Sequence, residues 1–175
     1  MDSARERVDR VLTCCCDGPT LDLACGSGRL ADRLVRQGVA ALSVDLSPMA
    51  VAVTRSRGVP TLYRDIFDRL PGTGRWEYAI LADGTVGLGG DPVRVLRRAR
   101  ELLAHDGVAI VEFAATGTTS RLRPTRLPCP PGTGAPVPWT RVGIDRAPGL
   151  AAAADLRILT AATVAGHEIA WLTPS

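Results

Sequence analysis

The sequence predicts a three-layer α/β/α fold whose doubly wound, mainly parallel sheet has seven strands and ends in an antiparallel hairpin. Apolar strand-like runs alternate with amphipathic helical runs over residues 20–113, which is the pattern of successive βα units. Two further strands are predicted at residues 156–164 and 167–172. Because only Ala165 and Gly166 join them, these last two strands can pair only in the antiparallel sense.

The first βα unit is the stretch T-L-D-L-A-C-G-S-G-R-L-A, residues 20–31. Gly26 and Gly28 allow the tight turn that ends its strand, and Gly38 closes the helix that follows. A strand that stops at such a turn leaves backbone N–H groups and a helix N-terminus facing one small space. This element therefore predicts binding of a nucleotide-like ligand.

The next two units repeat the pattern. A second strand at residues 41–46 ends in Asp45, and Ser47-Pro48 supplies the N-cap and first-turn proline of a helix. A third strand at residues 59–63 is followed by Asp65. Because parallel strands present their carboxyl ends at one edge of a sheet, these acids are predicted to line one crevice.

The second half of the parallel sheet follows a Pro/Gly turn. Residues 76–82 form a predicted fourth strand, and Asp91-Pro92 begins a helix. The apolar positions of that helix are Val93, Leu96, Ala99, Leu102 and Leu103. Its arginines are expected to form a solvated face; they are Arg94, Arg97, Arg98 and Arg100. A fifth strand at residues 108–113 precedes a Pro/Gly-rich loop at 116–138, and Asp145 is expected to cap a short helix.

Composition limits the class of protein. The 175 residues predict a single domain, 1–175, and 46% hydrophobic residues suffice for a core. The net charge of +3 comes from 21 basic residues, all arginine, against 18 acids. Because aromatic residues make up only 4% of the chain, the arginines are not interleaved with aromatic residues in the way that indicates nucleic-acid binding. No apolar run has the length of a membrane span, so no membrane partner is expected.

Cysteine usage predicts a reduced, cytoplasmic protein without a metal site. Cys14, Cys15 and Cys16 are consecutive, which is not the spacing of a zinc knuckle or a disulfide framework. No secretory signal is present. Only His105 and His167 offer imidazole ligands.

The glycine turn also distinguishes between nucleotides. Residues 26–31 fit the dinucleotide pattern G-x-G-x-x-G/A, but Asp22 lies inside the preceding strand, where a carboxylate suits a ligand with a free ammonium group. The run L-D-L-A-C-G-S-G-R-L resembles the first motif of the class I (Rossmann-like, seven-stranded) S-adenosylmethionine (SAM) methyltransferases, with Ala24 in place of the first glycine. V-D-L-S-P, Y-R-D-I-F and L-L-A-H-D-G-V-A-I-V-E follow in family order. The resemblance implies methyl transfer from SAM, with S-adenosylhomocysteine (SAH) as product.

The resemblance assigns the methionine end of the cofactor to the first and fourth strands. Asp22 would face this end directly or by fixing the glycine turn. Ala24, Gly26 and Gly28 would give backbone access to it. Ala82-Asp83 would reach the sulfonium and ammonium groups.

The resemblance assigns the nucleoside end to the second and third strands. Asp45 would accept hydrogen bonds from both ribose hydroxyls, and Leu46 would pack on adenine. Asp65 would accept from the adenine amino group while Ile66 covers the other face of the ring.

Catalysis is expected to need little beyond alignment of the acceptor with the methyl group. His167 is the candidate general base, with Asp83 as a second catalytic candidate. Residues 83–86 lack the Pro-Pro-aromatic motif of nucleic-acid amino-methyltransferases, and the chain lacks the asparagine of metal-dependent catechol-type enzymes. The expected acceptor is a small molecule or a peptide, methylated without a metal.

Two alternatives stay open: an NAD(P)-dependent oxidoreductase, and a catalytically silent SAM-binding partner protein. Residues 1–17 provide only a short N-terminal helix, at about residues 3–12. We expect this helix to cover little of the crevice. Its apolar side, Val8, Val11 and Leu12 with the three cysteines, is either a homodimer interface or packs on its own domain. The substrate-side loop at 116–138 is expected to govern acceptor access.

Overall fold

The structure, a computed structural model, describes residues 3–118, 123–125 and 137–175. Its strands are Thr20–Leu23 (β1), Ala41–Asp45 (β2), Thr61–Tyr63 (β3), Trp76–Leu81 (β4), Leu103–Phe113 (β5), Arg123–Thr125 (β6), Val137–Trp139 (β7), Leu156–Val164 (β8) and His167–Pro174 (β9). Its α-helices are Ala4–Thr13 (α1), Arg29–Arg36 (α2), Pro48–Ser56 (α3), Pro92–Leu102 (α4) and Ala147–Ala153 (α5).

The main sheet has seven strands in the order β3-β2-β1-β4-β5-β9-β8. The first five pair in parallel, and β9 runs antiparallel to both β5 and β8. The predicted sheet and its reversed C-terminal hairpin are confirmed. The strand order changes direction between β1 and β4, so their carboxyl ends open a crevice at that point.

Side-chain caps set the helix starts where the sequence predicts them. The Ser47 hydroxyl accepts from the N–H of Ala50 at 3.3 Å, and Asp91 accepts from the N–H of Arg94 at 3.0 Å. The prediction for Asp145 is wrong, because this residue lies in a short 3-10 helix before α5. Its carboxylate instead accepts from the N–H of Gly117 at 2.9 Å.

The core lies on both faces of the sheet because strand residues alternate between them. In β5, Ala109 and Val111 face the layer that contains α4 and α5. Ile110 faces the opposite layer, which contains α1 and α2. Alternation places Glu112 on the same face as Ile110. The carboxylate of Glu112, near the end of β5, therefore points toward α1.

Helix α1 packs on its own domain. Val8 and Leu12 are fully buried beside Ile80 and Ile110 of the sheet, and Val11 is half-buried against the same cluster. Of the two alternatives for this apolar side, the structure shows packing on its own domain. A homodimer stays a prediction that would need another surface.

Three of the four arginines of α4 are exposed, as predicted, but two of the four also contact the segment after β3. Arg98 donates from Nε to the backbone oxygen of Ile66 at 2.7 Å. The Arg94 guanidinium lies 3.8 Å above the Phe67 ring. These two side chains tether the segment after β3. On the buried side of the helix, Val95 is fully buried where Val93 was expected.

The predicted irregular loop at 116–138 is only partly described, since residues 119–122 and 126–136 lie outside the described ranges. Its described parts contribute to a two-stranded antiparallel ribbon of β6 and β7. Thr140 donates its N–H to the oxygen of Gly87 at 3.0 Å, so the end of the ribbon is attached beside the crevice. Across the ranges that the structure describes, no helix has the length and apolar character needed to cross a membrane.

Candidate functional site

A cavity of about 600 Å³ lies at the carboxyl ends of β1, β2, β3 and β4. Most of the residues predicted to bind a ligand line it: Ala24, Gly26, Asp45, Leu46, Asp65, Ile66 and Asp83. The local sequence explains the convergence. Each strand ends at a turn whose first residues project over the same edge of the sheet.

Three predicted binding residues lie outside this cavity lining: Asp22, Gly28 and Ala82. Ala82 is buried in the core between the sheet and α2. Gly28 has a φ of +68°, and a Cβ there would come within 2.3 Å of the Thr54 side chain. Gly28 is therefore required where the start of α2 approaches Thr54 of α3.

Asp45 connects two turns at the floor of the cavity. One carboxylate oxygen accepts from the N–H of Gly26 at 2.8 Å, and the other accepts from the N–H of Ser47 at 2.7 Å. The side chain is thereby fixed, and each oxygen retains a further lone pair. Two fixed acceptors at the end of β2 suit a ligand that presents neighbouring hydroxyl groups.

Asp22 supports the cavity from below. It is 3% exposed, and burial raises its pKa to about 7, even though the N–H of Ala31 favours the charged form. Its Oδ2 has no hydrogen-bond partner among the described atoms. Asp22 therefore holds the first turn of α2 and leaves one buried acceptor unused.

One wall of the cavity exposes large apolar side chains. Leu46, Met49 and Val53 are 44%, 50% and 39% exposed, and all three line the cavity. Ile66 lines it as well, although its side chain is buried. An apolar wall beside the fixed carboxylate of Asp45 suits a ligand that is flat and apolar on its faces and polar at its edge.

Backbone strain marks both ends of the crevice. Ala24 after β1 and Asp83 after β4 have φ values of +55° and +54°. Non-glycine residues in this region cost of order 1–3 kcal/mol, and such strain clusters at binding sites. Ala24 therefore adopts, at a cost in strain, a backbone conformation that glycine would adopt without strain.

We expect Ala24→Gly to raise the free energy of unfolding by about 0.5–1 kcal/mol, because relief of the left-handed strain exceeds the added flexibility of the unfolded chain. Urea unfolding measures the change. Ala165→Gly is the matched control, since Ala165 has a φ of +51° in the β8–β9 turn, away from the cavity. A loss of stability in Ala24→Gly with a gain in Ala165→Gly would contradict the strain at residue 24.

An ion-pair network lies at the end of the crevice that the sequence analysis assigned to the methionine part of the cofactor. Arg29 pairs with Asp9 at 2.9 Å and with Asp83 at 2.7 Å. Arg5 pairs with Asp83 at 2.7 Å and with Glu112 at 3.2 Å. Arg5 and Asp9 thus connect helix α1 to this end of the crevice, although no residue of α1 lines the first cavity.

Glu112 is the functional candidate that the sequence reasoning missed. It is 5% exposed, accepts from the N–H of Asp83 at 2.9 Å, and lies 2.6 Å from Nδ1 of His167. Burial alone would raise the pKa of Glu112. The net shift is downward, because the carboxylate is stabilised by the backbone N–H of Asp83, by the His167 ring and by the Arg5 guanidinium. The available signal was one acid inside the apolar run A-I-V-E-F of β5.

The pairing determines which nitrogen of His167 carries hydrogen. An ionised Glu112 can only accept, so Nδ1 is the donor at 2.6 Å. In the neutral imidazole, Nε2 then keeps a lone pair. His167 and Glu112 together form an oriented acceptor of protons.

A second cavity of about 770 Å³ adjoins the first. Asp83 and Trp139 line both cavities, while Glu112, His167 and Phe113 line only the second. The Trp139 indole donates from Nε1 to the oxygen of Gly84 at 3.1 Å, which fixes the ring between the two spaces. Among the residues that the structure describes, no group of three or more His, Cys, Asp or Glu side chains is arranged to hold a metal ion.

No model of a known protein family matches the sequence, and no curated protein matches it. Solved structures match the fold. A SAM-dependent methyltransferase from Bacteroides fragilis, in complex with SAH, is 20% identical in sequence to this chain and has a TM-score of 0.79. The match covers 100% of this chain and 78% of that chain.

Two further structures match with similar extent. The 1,6-didemethyltoxoflavin-N1-methyltransferase of Burkholderia thailandensis, with 1,6-didemethyltoxoflavin and SAH bound, is 19% identical with a TM-score of 0.73, over 99% of this chain and 79% of that one. The glycopeptide N-methyltransferase MtfA in complex with SAM is 17% identical in sequence to this chain and has a TM-score of 0.70. The match covers 98% of this chain and 92% of that chain.

Proposed function

We propose that this chain, which has the fold of the class I SAM-dependent methyltransferases, binds SAM and methylates a small-molecule or peptide acceptor without a metal. The observation that carries the proposal is Asp45, whose two carboxylate oxygens are fixed by backbone N–H groups at the floor of a partly apolar cavity. The acceptor class follows the Burkholderia enzyme and the glycopeptide enzyme.

The residues of the first cavity fit this cofactor. Asp45 would accept from the ribose hydroxyls, and Leu46 and Ile66 would enclose the adenine, with Asp65 at its polar edge. Gly26 has a φ of +55° and nothing within 4 Å of a Cβ, so its backbone is open to the cavity. When bound, SAM supplies a methyl group on a positively charged sulfur that leaves readily as a thioether.

The charge balance at the other end suits a cation. Three carboxyl groups, those of Asp9, Asp83 and Glu112, pair with Arg5 and Arg29, and Arg33 acts on Asp9 as well. Below this network, Asp22 retains its unused oxygen. A sulfonium and an ammonium group would therefore be attracted to this end of the crevice.

The chain's own contribution to the reaction is alignment. The second cavity meets the first at Asp83 and Trp139, so an acceptor held there would face the cofactor pocket. Thr118 lines the second cavity and Val137 lines the first. These contacts support the proposal that the segment 116–138 governs acceptor access.

Isothermal titration calorimetry with SAM, SAH and NAD tests the proposal. We expect SAM and SAH to bind and NAD not to bind. Leu46→Ala should weaken SAH binding by about five- to tenfold, since it removes roughly 1 kcal/mol of apolar contact. Leu159→Ala is the matched control, because Leu159 is a similarly exposed leucine, 47%, outside the cavity lining.

The outcomes separate the alternatives. Folded protein that binds NAD and gives no heat with SAM or SAH would favour the oxidoreductase. Binding of SAM without turnover of any acceptor would favour the silent partner protein. Equal effects of Leu46→Ala and Leu159→Ala would mean that the ligand does not occupy the first cavity.

A further inference from the structure

We propose that the second cavity takes a small hydroxylated aromatic acceptor, that His167 removes the hydroxyl proton through Nε2, and that Glu112 is the positioning residue for this histidine. The inference rests on the proposed function, because the cavity is useful for methyl transfer only if SAM occupies the first cavity. It deepens that function by naming the acceptor atom as oxygen and the acceptor class as a phenol.

The walls of the second cavity indicate an aromatic ligand. Trp139 and Phe113 contribute aromatic surface, and Val142 and two alanines complete an apolar lining. The Trp139 ring is held by its hydrogen bond to Gly84 at 3.1 Å, so this wall is ordered before a ligand arrives. Fixed aromatic walls favour a planar ring packed against them.

The polar side of the cavity indicates a hydroxyl group. His167 lines the cavity, and its Nδ1 is occupied by Glu112 at 2.6 Å, so Nε2 is the nitrogen left to contact a ligand. A neutral amine already has a lone pair for attack on a methyl group, whereas a phenol must lose its proton before or during attack. An oriented base is therefore required by the oxygen acceptor and not by the nitrogen acceptor.

Glu112 is held rigidly enough to position the histidine. It accepts from the N–H of Asp83 at 2.9 Å and pairs with Arg5 of α1 at 3.2 Å. The charged groups that face His167 are Glu112, Arg5 and Asp83, and Arg141 lines the same cavity. Because Glu112 contacts His167 and not the reacting atoms, its role is to fix the ring and stabilise the imidazolium that forms.

The step balances without a further reactant. The phenol oxygen gives its proton to Nε2 of His167 and forms a bond to the methyl carbon. The carbon–sulfur bond breaks, and its electron pair stays on sulfur, which becomes the neutral thioether of SAH. The imidazolium of His167 then releases the proton to water.

The test uses three probes with the full chain: para-methoxyphenol, its amine isostere para-methoxyaniline, and para-nitrophenol, which is already partly ionised near neutral pH. SAH formation is measured for wild type, His167→Gln and Glu112→Gln. We expect turnover of the phenols, and any turnover of the aniline should be the same in wild type and His167→Gln, because the amine needs no base. The loss in His167→Gln should be about a hundredfold or more for para-methoxyphenol and much smaller for para-nitrophenol, which needs no base.

Two readouts other than turnover accompany the rates. Calorimetry with SAH should give the wild-type affinity for His167→Gln, which shows that the cofactor site is intact in this variant. Nitrogen NMR of the His167 imidazole should show hydrogen on Nδ1 in wild type and a mixture of tautomers in Glu112→Gln.

Failure of this inference is distinguishable from failure of the proposed function. Loss of SAH binding in wild type would contradict the proposed function. If SAH binds, three results would overturn the phenol inference: turnover of the aniline without turnover of either phenol, equal losses for both phenols in His167→Gln, or no turnover of any probe. If Glu112→Gln fails to fold, His167→Gln alone still decides the question, since His167 is only half-buried.

Discussion

Alanine in place of Asp45 is expected to weaken SAM binding by roughly ten- to a hundredfold, because about 1.5–3 kcal/mol of hydrogen bonding to a charged group is lost. The same change removes the acceptor for the N–H groups of Gly26 and Ser47, which lie 2.8 and 2.7 Å from the carboxylate. The free energy of unfolding should therefore also fall, by about 1–3 kcal/mol. Calorimetry with SAM and urea unfolding measure the two losses separately.

Asp45→Asn separates binding from folding. Its amide oxygen can still accept from one of the two backbone N–H groups, so its stability should lie between those of Asp45→Ala and wild type. Its affinity for SAM should remain low, because the amide cannot accept from two hydroxyl groups. Wild-type affinity in Asp45→Asn together with lowered stability would assign Asp45 a purely structural role.

Asparagine in place of Asp22 is expected to remove a large pH dependence of stability. Burial raises the pKa of Asp22 from 3.8 to about 7, so the folded state holds this proton more tightly than the unfolded state. This contribution favours folding fully at low pH and is lost as the pH rises from about 4 to about 7, by at most about 4 kcal/mol. Asp22→Asn has no proton to lose and should lack this decline.

Urea unfolding of wild type and Asp22→Asn at several pH values measures the difference. The difference in the free energy of unfolding should grow in favour of Asp22→Asn as the pH rises. Asp68→Asn, at an exposed acid after β3, is the control and should track wild type. A gap between Asp22→Asn and wild type that stays constant with pH would contradict the burial of an ionisable proton at this site.

The fold could be predicted from the sequence because its signals are local. The strands of the parallel sheet are apolar runs. The glycine turn and the caps at Ser47 and Asp91 affect only residues within a few positions along the chain. Asp45 and Asp65 line the cavity for the same reason, since the end of a parallel strand determines where the next residue projects. Local patterns thus determined the sheet, its hairpin and the end of the crevice that Asp45 and Asp65 line.

The arrangement of side chains around His167 was decided only by the tertiary structure. Arg5, Glu112 and His167 come from the first helix, the fifth strand and the last strand, and no pattern within one segment relates them. The contacts of Arg98 in α4 and the packing of the apolar side of α1 could not be decided from the sequence for the same reason, because amphipathic spacing shows which side chains share a face but not what that face packs against. Contacts between distant segments depend on how the layers pack, and packing alone placed a buried carboxylate behind His167 and a tryptophan between the two cavities.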